Sequence, residues 1–298
     1  MQLQITIILG LMILAYAAAK WRGASVELSM LSAAATGGIA GAFVGTPPAG
    51  DLVRHLVEGS FTYLDVILVF TTATIFMAIL SDSGGVDYVV RRVLKYLARR
   101  KLIALLVLMF IILLPGALTG AGSVSLLVVG APVAMALAYL GVPRRRVAAI
   151  LFIVAGLSAA APPVNIWAMI LSAGTAIPYV GFELPLGIPV LILGTFTVLV
   201  LGLPKGREGD NGAQDLPPDT PGMTWWRVLV PFVVFFGSVL AYRIWPFASP
   251  ILGLPLQFVF AGTAALLFSP KRINVLTLSR NTVKRLLPLL ATMIVVGM

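Results

Sequence analysis

Cysteine is absent from this chain of 298 residues, and histidine occurs once, at position 55. Without cysteine there is no disulfide, thiol nucleophile or thiolate-bound metal, and one histidine is too few for a histidine-cluster metal site. Charged residues are also scarce, at 11% of the sequence, whereas a soluble domain carries about a quarter. This shortage of charge excludes an ordinary soluble globular protein.

The sequence contains long apolar runs, and 59% of its residues are hydrophobic. Several runs reach the roughly 20 residues that a helix needs to cross a bilayer, and none alternates with the period of two that a barrel strand requires. We therefore predict an all-α membrane protein, a helical bundle with several spans. The predicted spans are residues 3–19, 28–45, 61–81, 147–178, 186–203, 226–246 and 252–269, with a last one that starts near residue 286.

The basic residues predict the orientation of these spans. The net charge is +10, and 19 of the 21 lysines and arginines fall in connections that share one side if the N-terminus lies outside. Because this is the asymmetry of the positive-inside rule, the charge indicates topology and argues against a nucleic-acid partner. We predict a multi-pass protein of the bacterial or archaeal cytoplasmic (inner) membrane with its N-terminus outside. Lys20 and Arg22 follow the first apolar run instead of preceding it, which favours a span over a signal peptide.

A polar segment rich in glycine and proline, residues 204–223, predicts a cytoplasmic linker between two parts of the chain. Residues 1–203 and 224–298 begin with the same order of spans and connectors but in opposite orientation, which is the layout of inverted repeats in secondary transporters. The second part ends inside a span, so we expect a truncated frame or a fragment. Residues 86–100 have apolar side chains at helical spacing among basic ones, which predicts a helix in the inner interface.

The most polar stretch at membrane depth lies in residues 102–141. Lys101 and Arg144 share the inner side, so the segment between them enters and returns on that side. A re-entrant hairpin with its tip at Gly120–Ser125 is the favoured interpretation, because irregular backbone at that depth must be buried in protein or line a cavity. Two full crossings would also just fit, and the small residues could instead form a packing seam between helices.

A second break is predicted halfway through the long span 147–178. Pro162 and Pro163 lack N–H groups and clash with the preceding turn, which predicts free carbonyls near residues 157–159, while Ser158 and Asn165 supply polar side chains. Freed carbonyls and hydroxyls suit a hard cation such as Na⁺, and the N-terminal ends of half-helices suit an anionic substrate group. The sequence thus predicts a helical bundle with a re-entrant hairpin, a broken helix and the start of an inverted repeat.

These motifs carry a resemblance to a known family. The order of a basic amphipathic helix, GALTGAGSVSLLVVGAPVAMALAYLGVPRRRVAA and AGLSAAAPPVNIWAMILSAGTAIPYVGF resembles the large permease subunit of tripartite (TRAP) transporters, the DctM type of the ion transporter superfamily. The match covers about residues 84–182. It implies sodium-coupled uptake of a small organic acid of the C4-dicarboxylate kind, with a small membrane subunit and a periplasmic binding protein as partners beside membrane lipid.

The resemblance also implies the site residues. The hairpin tip and the broken helix of the family match the substrate-binding set Gly120, Gly122, Ser123, Ser125, Pro162, Pro163 and Asn165. For Na⁺, the coupling ion, the implied set is Ser123, Ser125, Ala160, Ala161 and Asn165. The family more often has additional serines at the tip, and its second hairpin with a second broken helix has no counterpart in these 298 residues.

Other classes of function remain open. A proton-coupled organic-anion carrier that needs no binding protein is the nearest alternative, and a channel is less favoured. An intramembrane enzyme needs a nucleophile with a base, or a metal, at depth, and no acid or histidine accompanies the deep hydroxyls, so we predict no catalytic residue or cofactor. Asp65 falls near the outer boundary of its span and His55 in an outer polar segment, where solvated positions are expected.

Overall fold

A computed structural model describes residues 2–43, 51–177, 181–203, 219–244 and 253–298. Throughout these ranges the regular structure is helical. The helices are α1 (Gln2–Trp21), α2 (Val26–Phe43), α3 (Leu52–Ser60), α4 (Leu64–Asp82), α5 (Gly85–Leu97), α6 (Lys101–Thr119), α7 (Gly122–Tyr139), α8 (Arg144–Ser158), α9 (Ile166–Thr175), α10 (Glu183–Gly202), α11 (Trp225–Ile244), α12 (Leu254–Leu267) and α13 (Val275–Gly297).

Six helical stretches within the described residues are long and apolar enough to cross a membrane. They are α1, α2, the stretch Val53–Asp82, α6, α7 and α10. Helices satisfy their own backbone hydrogen bonds, which is what a segment in hydrocarbon requires. The predicted helical fold is therefore confirmed for the described residues, and the six stretches support a transmembrane protein. The re-entrant hairpin, the kind of membrane, the orientation and the inverted halves predicted at 1–203 and 224–298 stay predictions.

Helix α13 begins at Val275, before the span that the sequence predicts to start near residue 286, and the start of the span along this helix stays a prediction. Asn274 explains the difference: its Oδ1 accepts a hydrogen bond from the Thr277 N–H at 3.1 Å, the geometry of a helix N-cap. The helix then continues through Pro288 without a break. Helix α13, of 23 residues, therefore includes both the predicted interfacial connector and the start of the predicted span that follows it.

Residues 1–67 and 283–298 form one compact unit. In it α1 and α2 pack side by side, and the turn between them is fixed by Ser25, whose Oγ accepts from the Leu28 N–H at 3.3 Å. Thr292 on α13 donates to a Glu27 carboxylate oxygen at 3.2 Å. On α3 the exposed pair Arg54 and Glu58 meets at 2.7 Å, a contact of little energy because both groups are solvated.

Residues 68–282 form the second compact unit. Helices α5, α6, α7, α8 and α10 pack together in it, and α11 packs on α12. The predicted interfacial helix 86–100 corresponds to α5, which buries Val86, Val90, Val93 and Leu94 and keeps Lys95 exposed. The predicted long span 147–178 is two helices, α8 and α9, and the segment 102–141 contains α6 and α7.

Candidate functional site: a helix turn against a helix break

The turn between α6 and α7 consists of Gly120 and Ala121. Gly120 has a φ of +70°, in the left-handed region that favours glycine, and its N–H donates to the Gly116 carbonyl oxygen at 2.6 Å. The Thr119 hydroxyl donates to the Pro115 carbonyl oxygen at 2.8 Å, in the last turn of α6. The turn is therefore two residues long and fully buried at Gly120.

The break between α8 and α9 covers residues 159–165. The N–H groups of Ala160 and Ala161 donate to the carbonyls of Leu157 and Ser158 at 3.0 and 3.2 Å. These are tightened i to i+3 bonds that compensate for the prolines at the end of a helix. The expectation that the carbonyls near 157–159 lack donors is thus wrong for Leu157 and Ser158, although each oxygen keeps a second lone pair.

Asn165 starts the second half of the broken helix. Its side-chain oxygen accepts from the Ala168 N–H at 3.0 Å, so Asn165 is the N-cap of α9. Its amide nitrogen donates to the Ala160 carbonyl oxygen at 3.4 Å. The side chain is buried, at 4% exposure, and therefore ties the two ends of the break together inside the protein.

The turn and the break touch through their backbones. The Val164 N–H donates to the Ala117 carbonyl oxygen at 2.9 Å. A Cβ atom added at Gly120 would lie 2.7 Å from the Ile166 nitrogen, and one added at Gly122 would overlap the Ala155 carbonyl oxygen. Glycine is required at both positions because the neighbouring atoms are backbone and cannot rotate away.

A chain of buried hydroxyls crosses this contact. The Gly116 N–H donates to Ser125 Oγ at 2.8 Å, Ser125 Oγ lies 3.0 Å from Ser158 Oγ, and Ser158 Oγ donates to the Ala155 carbonyl oxygen at 2.6 Å. Since the Ser158 proton is used on Ala155, Ser125 is the donor between the two serines. Both serines are 0% exposed, and each hydroxyl oxygen keeps one lone pair for a further ligand.

Four helix ends converge here. The C-terminal ends of α6 and α8, at Thr119 and Ser158, carry partial negative charge, and the N-terminal ends of α7 and α9, at Gly122 and Ile166, carry partial positive charge. The Ser158 and Ala155 oxygens lie at the negative end of α8, Ser125 lies in the first turn of α7, and the Ile166 nitrogen lies at a positive end beside the Gly120 turn. One junction therefore offers oxygen ligands to a cation and N–H ends to an anion.

The structure brings only some of the predicted site residues together. Gly120, Gly122, Ser125 and Asn165 lie in the junction, and Ala160 and Ala161 take part in the bonds of the break. Ser123 and Pro163 are exposed, and Pro162 packs near Gly187 of α10, where an added Cβ would lie 3.3 Å from the proline ring. The predicted roles of all these residues stay predictions.

Two members of the junction were not among the predicted site residues. Gly116 packs so closely on the broken helix that an added Cβ would overlap Ser158 Oγ, and Ser158 pairs with Ser125. Ser158 was recognised in the sequence as a polar group at the break, but its partner lies 33 residues away. Only the packing of α6, α7 and α8 reveals that pairing.

A cavity of about 370 Å³ borders the junction. It is lined by apolar side chains of α6 and α10 and, at one end, by Ala117, Ala161 and Pro162. Its volume falls within the range of small-molecule sites, so there is room for a small organic molecule beside the turn and the break.

Within the described residues no group of three or more histidine, aspartate or glutamate side chains could hold a metal ion, so a cation at the junction would be bound by hydroxyl and carbonyl oxygens. Comparisons of the chain with models of known protein families, with curated protein sequences and with solved structures gave no match.

Proposed function

We propose that the chain is a secondary active transporter permease of the cytoplasmic membrane, similar to the large TRAP subunit, which takes up a small organic acid of the C4-dicarboxylate kind together with Na⁺. The observation that carries the proposal is the junction of four helix ends around the Ser125 and Ser158 hydroxyls. Paired helix breaks of this kind bind the substrate and the coupling ion in many transporters. The partners in this proposal are a small membrane subunit and a periplasmic binding protein.

In the proposal the two ligands bind at opposite kinds of helix end. Na⁺ is a hard cation and prefers oxygen ligands, which the C-terminal end of α8 provides through Ser158 Oγ and the Ala155 carbonyl, joined by Ser125 Oγ. A carboxylate is stabilised at helix N-termini, here those of α7 and α9. Binding both ligands at one junction couples their affinities, because the cation and the anion attract each other at close range.

A re-entrant course for α6 and α7 is part of the proposal, and distances along α8 support it. From the basic start at Arg144 to Ala155, where the Gly122 backbone touches α8, the helix rises by about 17 Å. After the break α9 continues for 10 residues, or about 15 Å. The turn therefore meets α8 near the middle of a path of about 30 Å, the thickness of the hydrocarbon core. Because α6 and α7 are each long enough to cross that core, the re-entrant course requires both helices to be tilted.

Alternating access is part of the proposal. The turn and the break meet through glycine contacts and a few hydrogen bonds, such as the one from Val164 to Ala117. In the proposal the predicted inverted halves move against each other and open the junction first to the outside, where the N-terminus lies, and then to the cytoplasm. Proton coupling is the competing mechanism.

The test is uptake of radiolabelled succinate into proteoliposomes that contain the protein. We expect uptake to require an inward Na⁺ gradient, and Ser125→Ala or Asn165→Ala to lower it by about 5- to 30-fold, since each removes a polar group whose loss costs roughly 1–2 kcal/mol. Thr263→Ala is the matched control, because that hydroxyl is exposed and bonds only its own helix, at Val259.

The competing outcomes are distinguishable. Uptake driven by a pH gradient alone would favour the proton-coupled carrier over the Na⁺ proposal. Uptake with a Na⁺ gradient but unaffected by both site variants would move the site away from the junction. Passive flux with single-channel currents would contradict a carrier altogether.

A further inference from the structure

A second cavity, of about 810 Å³, lies between α5 and residues 219–223. Four basic residues line it, Arg91, Arg92, Lys95 and Arg99. Arg91, Arg92 and Lys95 lie on adjoining faces of α5, and Arg99 follows the end of that helix. Aromatic residues share the lining, so the cavity combines positive charge with flat polarizable surfaces.

Among the residues that the structure describes, the positive charge that lines this cavity is not balanced. Among its described lining residues Asp219 is the single carboxylate, and its oxygen lies 3.6 Å from Arg91. Its side chain is 74% exposed, so the pair contributes little. Four cations against one carboxylate leave a formal charge of +3.

The Arg92 side chain is fixed on two aromatic rings. Its guanidinium lies 5.4 Å from the centre of the Tyr88 ring and 5.7 Å from that of Tyr96, and Nη1 donates to the Tyr96 hydroxyl at 2.9 Å. Stacking of this kind reduces the rotamer freedom of the arginine. The remaining guanidinium donors are therefore oriented before a ligand arrives.

The wall opposite α5 is also ordered. Thr220 donates to the Gly84 carbonyl oxygen at 3.3 Å and is buried. Met223 forms a small apolar core with Tyr88 and Val228. The residues that close the cavity are thus held against the N-terminal part of α5 by a hydrogen bond and side-chain packing, and the cavity is a built feature of the fold.

We propose that this cavity binds a phosphate group whose negative charge is not neutralised by a cation in the same molecule. Oriented arginines recognise phosphate oxygens through paired N–H donors, and basic cavities at the cytoplasmic side of helical membrane proteins suit anionic headgroups. Phosphatidylglycerol and free inorganic phosphate are two sources of the same chemistry. The site is separate from the proposed transport junction, and its occupancy does not depend on transport.

Native mass spectrometry of the detergent-purified protein tests this proposal. We expect the protein to retain phosphatidylglycerol over phosphatidylcholine, and the triple variant Arg92→Gln, Lys95→Gln, Arg99→Gln to weaken retention by about tenfold or more, as expected for removing several cations that face an anionic lipid. The matched control neutralises Arg144, Arg145 and Arg280, three exposed residues outside the cavity lining.

The experiment distinguishes phosphatidylglycerol from free inorganic phosphate as the bound molecule. Retained phosphatidylglycerol that inorganic phosphate does not displace supports the lipid source, and phosphate binding with the same dependence on the three residues supports the free anion. Arg92→Lys keeps the positive charge and the fold but loses the planar guanidinium group. A partial loss of lipid retention in this variant supports the stacked geometry of Arg92. Equal retention of both lipids, or equal loss in the control triple variant, overturns the proposal.

Discussion

Helices within residues 68–282 pack in two different ways. Where α4, α11 and α12 meet, large rings fill the space: Phe235 stacks on Phe258 with centroids 4.4 Å apart, and Phe76 meets Phe232 edge to face at 5.7 Å. Where α6 and α7 meet α8 and α9, glycines bring backbone onto backbone around the buried hydroxyls of Ser125 and Ser158.

The aromatic region and the glycine-rich junction are suited to different roles. Aromatic packing gains dispersion energy, and the ring carbons themselves offer no hydrogen-bonding group to a ligand. Small residues gain less packing energy, but they expose helix ends and oxygens to a partner within the protein. We therefore expect mutations in the aromatic region to change stability without changing the Na⁺ response, and mutations in the junction to change both.

The largest expected effect is Phe258→Ala. The ring is 0% exposed, and its removal leaves a cavity that costs about 3 kcal/mol, at the lower end of the usual range because lipid already solvates apolar groups in the unfolded reference. Thermal unfolding in detergent measures the loss. Phe260→Ala on the same helix is the control, since that ring is 44% exposed, and equal losses in the two variants would contradict the assigned packing.

Gly122→Ala comes next, at about 2 kcal/mol of lost unfolding free energy. The added methyl group would overlap the Ala155 carbonyl oxygen, which belongs to the backbone and cannot turn away. Gly156→Ala, one residue further along α8, adds the same group to open space. The unfolding free energy of that control should rise by up to about 1 kcal/mol because alanine has the higher helix propensity. A loss of similar size in both variants would contradict the close contact of Gly122 with the Ala155 carbonyl.

Ser125→Ala should cost about 1–2 kcal/mol. The change leaves the Gly116 N–H without its hydroxyl acceptor and Ser158 without its donor. Unfolding measured in NaCl and in choline chloride separates structure from ligation: the wild type should gain stability from Na⁺, and the variant should lose that gain. A variant that keeps the full Na⁺ effect would remove Ser125 from the ion site.

The smallest effect concerns pH at α5, outside the membrane-spanning helices. Partial burial raises the pKa of Asp87 above its ordinary value, against a lowering by Lys271. A raised pKa in the folded protein means that the folded state holds its proton more tightly, so Asp87 reduces stability as pH rises from its ordinary pKa through the raised one. Asp87→Asn should flatten unfolding midpoints over that window, and an unchanged profile would contradict the burial.

Local signals in the sequence predicted the elements of this fold well. The α6–α7 turn and the α8–α9 break lie where glycine, proline and asparagine place them, at Gly120 and before the Asn165 cap. The sequence did not predict which atoms meet across 33 residues, as Ser125 and Ser158 do, because tertiary packing determines such pairs. The early start of α13 depends on the Asn274 cap, a signal that the basic charge of its connector obscured.

The most direct test of the central proposal is the depth of the α6–α7 turn. The native chain has no cysteine, so Ala121→Cys places one unique thiol at that turn, with Arg54→Cys and Arg145→Cys as references for the predicted outer and inner sides. A membrane-impermeant maleimide applied from outside should label Arg54→Cys and leave Ala121→Cys unmodified. Labelling of Ala121→Cys from outside as fast as Arg54→Cys would show two full crossings and contradict the re-entrant site.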